Sequence, residues 1–90
     1  MTYWNPEGYH QLGKGEYAGI STADVLRRMR EATGSATLEE LTAWLGVRQS
    51  MLSDANRRNI IPIQWLRQLV LKKVRYHPLW VLTGRGDKYW

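Results

Sequence analysis

Ninety residues with 43% apolar side chains make one small domain with a modest core. The chain has no cysteine, which excludes disulfides and thiolate metal sites, and its two histidines, His10 and His77, lack partners at metal-ligand spacing. No apolar run reaches transmembrane length and the polar, aromatic N-terminus is unlike a signal peptide, so a cytoplasmic protein is expected.

The net charge of +5 is unevenly placed. Residues 1–20 carry Lys14 against Glu7 and Glu16, a net of −1; residues 21–90 carry twelve Lys/Arg against six Asp/Glu, a net of +6. The basic part coincides with the part patterned for helices. That suits a polyanion partner, and it also suits plain solubility.

Residues 1–20 read as an irregular aromatic extension. Gly8, Gly13, Gly15, Gly19 and Pro6 break any long helix, while Tyr3, Trp4, Tyr9 and Tyr17 supply more aromatic surface than a disordered tail usually holds. Three readings stand: rings folded back onto the helical domain, an arm that reaches DNA or a partner subunit, or a loose segment.

A first helix is predicted over residues 23–32, capped by Ser21 or Thr22, with Asp24 at the positive end of its dipole. Val25, Leu26, Met29 and Ala32 form its apolar stripe. Arg27, Arg28 and Arg30 point away, a solvated face in preference to phosphate contacts. Gly34 provides a left-handed stop.

Residues 37–59 are the stretch around which the rest is organised. Thr37-Leu38-Glu39-Glu40 is a capping box that opens a second helix ending at Leu45. Leu41, Leu45, Val47, Leu52 and Ala55 fall at core-facing positions, small Thr42 permits a close crossing, and Gly46 sits where the chain turns sharply with positive φ. Trp44, near the turn, is read as packing.

A third helix starts at Arg48 or Gln49 and runs to residue 58. Arg48 at its cap costs on the order of 0.5–2 kcal/mol against Ser, Thr, Asp or Asn. Its outward side carries Arg48, Gln49, Ser50, Ser53, Asp54 and Arg57, residue types that read base edges. Gln49 can pair with adenine and an arginine with guanine; Ser50 and Ser53 suit base or phosphate. Asp54 either accepts from cytosine or braces Arg57 or Arg58. Thr37, Arg58 and Asn59 are the candidates for phosphates, with Glu39 and Glu40 opposing that role at the start of the second helix.

Ile60-Ile61-Pro62 leads into a fourth helix over residues 62–73, with Ile63, Leu66, Leu69 and Val70 inward and Lys72 and Lys73 at its negative end. Trp65 and Tyr76 are read as core or rim packing, since no strand pattern offers a base-stacking sheet. His77 caps a fifth helix over residues 79–82, Thr83-Gly84 stops it, and residues 87–90 form a tail.

Nothing marks an enzyme. Ser50, Ser53 and the two histidines lie in unrelated segments, and no nucleophile elbow, metal cluster or phosphate-cradling glycine loop is present, so no cofactor is expected.

The run from Leu41, Leu45-Gly46-Val47, Ser50 and Leu52-Ser53 through Ile61-Pro62, Trp65-Leu66 and Leu69 to Trp80, Leu82-Thr83-Gly84 and Gly86 resembles the helix-turn-helix domain of bacteriophage CI-type repressors. The resemblance spans residues 24–86. It implies an all-α, five-helix, lambda-repressor-like domain over residues 21–86, with helices 2 and 3 as the helix-turn-helix. It also implies sequence-specific binding to a double-stranded DNA operator, usually as a homodimer, with transcription repressed by promoter occlusion. The DNA-reading positions carried over are Arg48, Gln49, Ser50, Ser53, Asp54 and Arg57. Arg48 replaces a usual capping serine, Ala55 a frequent large residue, and Arg75 a common glycine. Many such repressors continue into a C-terminal oligomerisation domain that these 90 residues do not supply, so the expectation is either the DNA-binding piece of a longer protein or a short regulator that dimerises by another surface. The alternative is a protein-interaction module, antitoxin-like or a phage-assembly adaptor, that keeps the fold with only weak, salt-sensitive DNA affinity; aromatic residues at both termini motivate it.

Overall fold

In the computed structural model, which describes residues 8–90, five helices and a short antiparallel ribbon surround one apolar cluster. Strand β1 (Tyr9–Gln11) leads through a 3-10 turn (Gly15–Tyr17) into α1 (Thr22–Thr33). Helices α2 (Leu38–Leu45) and α3 (Gln49–Arg58) follow, then β2 (Ile60–Pro62), α4 (Ile63–Leu71) and α5 (Pro78–Thr83). Pro6, Tyr3 and Trp4, on which part of the N-terminal reading rests, lie outside the described residues.

The expectation of an all-α fold is corrected by the ribbon. Tyr9 pairs with Pro62, His10 with Ile61 and Gln11 with Ile60. Each strand is three residues long, too short for alternation to show in the sequence. The segment predicted as irregular is anchored further by Leu12 and Ile20, both buried in the core. Tyr17 donates to or accepts from His10 Nδ1 at 3.1 Å, its ring edge-on to the imidazole.

Local chemistry explains the helix ends. Ser21 caps α1 by accepting from the Asp24 amide, and the Thr37–Glu40 capping box opens α2 with both reciprocal bonds formed. His77 Nδ1 accepts from the Leu79 amide at the start of α5. Gly46 closes α2 at φ 73°, with its N–H on the Ala43 carbonyl and the Val47 N–H on the Thr42 carbonyl, the paired bonds of a Schellman turn. The expected fourth helix is shorter than residues 62–73. Pro62 belongs to β2, and the helix ends at Leu71 because Lys73 takes φ 55° and Val74 turns back to donate to the Leu69 carbonyl. With Trp65, Leu66 and Leu69 forming the buried face, Ile63 and Val70 point outward at 41% and 50% exposure, not inward as expected.

The arginines of α1 also depart from a purely solvated face. Arg27 is exposed beside Asp24. Arg28 is half-buried and donates to the carbonyls of Val81 and Leu82 at 2.8 and 3.1 Å, tying α1 to the last turn of α5. Arg30 reaches the carbonyls of Ser35 and Ala36. No helix among the described residues is long and apolar enough to cross a membrane.

Candidate nucleic-acid interface

Helix α3 is amphipathic in the simplest sense. Leu52 and Ala55 are its buried residues, at 3% and 2% exposure, and they hold it against α1, α2 and β2. Of the rest, six residues form two stripes at spacing i, i+4, i+8, Gln49, Ser53 and Arg57 in one and Ser50, Asp54 and Arg58 in the other, and Met51 and Asn56 are exposed beside them. Five of the six predicted base-reading residues, Arg48, Gln49, Ser50, Ser53 and Arg57, are exposed; Asp54 is half-buried. All six lie on α3 or at its cap.

The helix begins without side-chain capping. Arg48 occupies the N-cap in extended conformation (φ −86°, ψ 151°), and its carbonyl accepts from the Met51 amide while its side chain makes no cap bond. The leading amides of α3 therefore lack a competing anion on the cap residue, and a cation sits beside them.

Asp54 contacts both Arg57 and Arg58, the latter at 3.5 Å. Of the two roles open to it in the sequence, bracing the arginines is the one the geometry displays. In α3 a single carboxylate is set against Arg57 and Arg58, leaving the outward face basic.

The three predicted phosphate residues differ in their commitments. Arg58 sits at the C-terminal end of the second stripe, and its guanidinium lies over the Tyr9 ring at 5.3 Å. Thr37 is exposed, but its hydroxyl accepts from the Glu40 amide and its own N–H donates to the Glu40 carboxylate. Asn59 is a joint of the fold. At φ 53° its Oδ1 accepts from the Thr22 amide at 2.9 Å, and its carbonyl accepts from the Leu12 amide and from Gln11 Nε2. Its side-chain oxygen is thus spent on the first turn of α1.

The last turn of α2 is held from outside. Gln68 Nε2 donates to the Leu45 carbonyl at 2.9 Å, and Lys72 Nζ to the Trp44 carbonyl at 2.6 Å while lying over the Trp44 ring. These bonds satisfy carbonyls that the helix end leaves without intrahelical donors. They fix the end of α2 immediately before the turn that sets the angle of α3.

Sequence reasoning missed Tyr9 and Gln11 as neighbours of α3, and it did not place Met51, whose side chain is 47% exposed, among the site residues. Tyr9, Ser50, Met51, Asp54, Arg58 and Trp65 help to line a recess of ≈420 Å³ along the second stripe. Only Met51 had a sequence signal, an apolar residue off the buried face of a helix.

The family model described as bacteriophage CI repressor helix-turn-helix domain matches residues 24–89. No curated protein and no solved structure matches the chain. With α1 through α5 inside the matched range apart from the first two residues of α1, and the match spanning well over half of the sequence, the chain belongs to the bacteriophage CI repressor helix-turn-helix domain family.

Proposed function

We propose that the protein is a sequence-specific, double-stranded-DNA-binding transcriptional repressor that inserts α3 into the major groove. The observation that carries this is the outward face of α3, where Gln49, Ser53 and Arg57 share one exposed stripe behind a basic cap, Arg48. A helix fits the major groove of B-form DNA, and these side chains present the donors and acceptors that distinguish base pairs there. Lysine and arginine neutralise phosphates and supply sequence-independent affinity; the stripe supplies discrimination. Arg58 is assigned to a phosphate. Thr37 and Asn59 take lesser parts, through whatever their internal bonds leave available. Asp54 serves as a brace for the arginines.

Acting as a homodimer in the bacterial cytoplasm, the protein would read two half-sites about 34 Å apart and repress by covering a promoter. At the C-terminus, which helps to motivate the protein-interaction alternative, Trp90 packs at a tilt on His77, 4.4 Å between ring centroids, and donates to the Val74 carbonyl, and Tyr89 lies edge-on to Tyr76, while the two residues stay 69% and 52% exposed.

Methylation interference tests groove choice. Methylating guanine N7, in the major groove, is expected to block binding at discrete positions, while methylating adenine N3, in the minor groove, leaves binding intact at those positions. The reverse pattern contradicts the placement of α3.

A further inference from the structure

The first turn of α3 is open to solvent at its three leading positions, Gln49, Ser50 and Met51. Gln49 and Ser50 are polar and have a reading in the major groove. Met51 has none in the hydrogen-bonding scheme. It is 47% exposed, while the other two apolar residues of α3, Leu52 and Ala55, are buried. One residue past Ser50 and four before Ala55, it stands at the margin between the polar stripes and the buried face. The recess of ≈420 Å³ beside it extends that apolar ground, with Met51, Tyr9, Pro62 and Trp65 in its lining next to the polar Ser50 and Asp54.

A methionine in this place serves neither the helix start nor the core. A thioether is no N-cap, and exposure withholds the burial that would stabilise the fold. What the residue offers is an unbranched, polarisable side chain that fits irregular apolar surfaces. The major groove presents hydrogen-bonding groups at every base pair and one apolar group, the C5-methyl of thymine. The leading residues of a groove-bound helix are the ones that meet base edges. An apolar side chain at that end of α3 is therefore matched to the one apolar feature of the groove, and contact with it separates thymine from cytosine.

We propose that Met51 is a specificity-determining residue that reads the C5-methyl group of a thymine. This rests on the DNA-binding reading given above and adds to it an apolar contact that the stripe of Gln49, Ser53 and Arg57 lacks. Met51 follows Gln49 by two residues, an axial rise of about 3 Å, close to the spacing of about 3.4 Å between stacked base pairs. The thymine accordingly lies within about two base pairs of the pair that Gln49 reads.

The test is a chemical double-mutant cycle with the full chain and the duplex it prefers from a random pool. Each thymine is replaced in turn by deoxyuridine, which removes the methyl group and keeps every hydrogen-bonding group of the base. The wild type is expected to lose about four-fold in affinity at one thymine per half-site, the effect of taking one methyl out of apolar contact. That thymine should fall within the stated distance of the position that Gln49→Ala relaxes. Met51→Ala should bind the thymine duplex more weakly than the wild type and lose nothing further when that thymine becomes deoxyuridine, while the other replacements act alike on both proteins. Thermal melting checks folding; if Met51→Ala does not fold, Met51→Gln takes its place and is held to the same outcomes. A wild type indifferent to every deoxyuridine overturns the proposal, as does a preferred site with no thymine in that window or a Met51 variant that keeps the full preference for thymine. A folded wild type that selects no duplex defeats the DNA-binding reading itself, and the proposal with it, a result distinct from selective binding that ignores the methyl group.

Discussion

Asp54 is the one acidic residue of α3, and it faces two arginines. Exposed pairs of this kind contribute little to stability, about 0–1 kcal/mol. On the proposed function their effect on DNA binding is larger, because the carboxylate offsets the positive charge that Arg57 and Arg58 present to a polyanion. Asp54→Asn is accordingly expected to bind mixed-sequence DNA several-fold more tightly and with a steeper salt dependence, while losing under about 1 kcal/mol of stability. Titration of wild type and variant against the same duplex checks this, and a variant with weaker affinity would mean that Asp54 holds the arginines in place more than it screens them. The sequence allowed this brace because residues three and four apart on a helix are neighbours. Asn59 is the opposite case. Its residue type and its place after two arginines point to a phosphate, yet its Oδ1 serves the Thr22 amide, which is distant in sequence. No local pattern shows that Thr22 needs an acceptor there.

At the scale of elements, the helix-turn-helix was legible because its determinants are local. The capping box, the glycine turn and the alternation of buried and exposed positions all act within a few residues. The ribbon was not legible, since the partners Tyr9–Gln11 and Ile60–Pro62 lie far apart in sequence and neither strand is long enough to show a period. The end of α4 was misplaced for a related reason. A glycine is the usual marker of a left-handed stop, and here Lys73 takes φ 55° instead. A non-glycine residue in that conformation costs about 1–2 kcal/mol, part of which glycine gives back through its greater freedom when unfolded. Lys73→Gly is therefore expected to stabilise the protein by up to about 1 kcal/mol, measured as a rise in the denaturant midpoint at constant slope. A fall in the midpoint would show that the Lys73 side chain contributes more than its backbone conformation costs.

At the scale of the whole molecule, the N-terminal segment couples the ribbon to the core, and it carries a titratable group. Burial holds the His10 imidazole below its usual 6.5, opposed by Glu16, whose charge raises it. A depressed histidine contributes stability that is present above pH 6.5 and is lost as pH falls through the folded value, because the unfolded chain takes up the proton first. The melting temperature should therefore fall between about pH 7 and pH 5, and His10→Asn should flatten that part of the profile. Glu31, held below its usual range by hydrogen bonds from Lys88 and Tyr76, acts in a separate window below pH 4.5. A His10→Asn protein with the same profile between pH 7 and pH 5 would assign the loss to another group.

On the proposed function, the stripe Gln49, Ser53 and Arg57 reads bases. The decisive measurement is selection of bound duplexes from a random pool at about physiological salt, run in parallel with wild type and Gln49→Ala. The wild type should enrich an inverted repeat with half-sites one helical turn apart. Gln49→Ala should enrich the same repeat with one position per half-site relaxed, a loss of about 1–3 kcal/mol of discrimination there. A folded wild type that enriches no sequence, or a Gln49→Ala protein that selects the same motif with undiminished preference at every position, would contradict it.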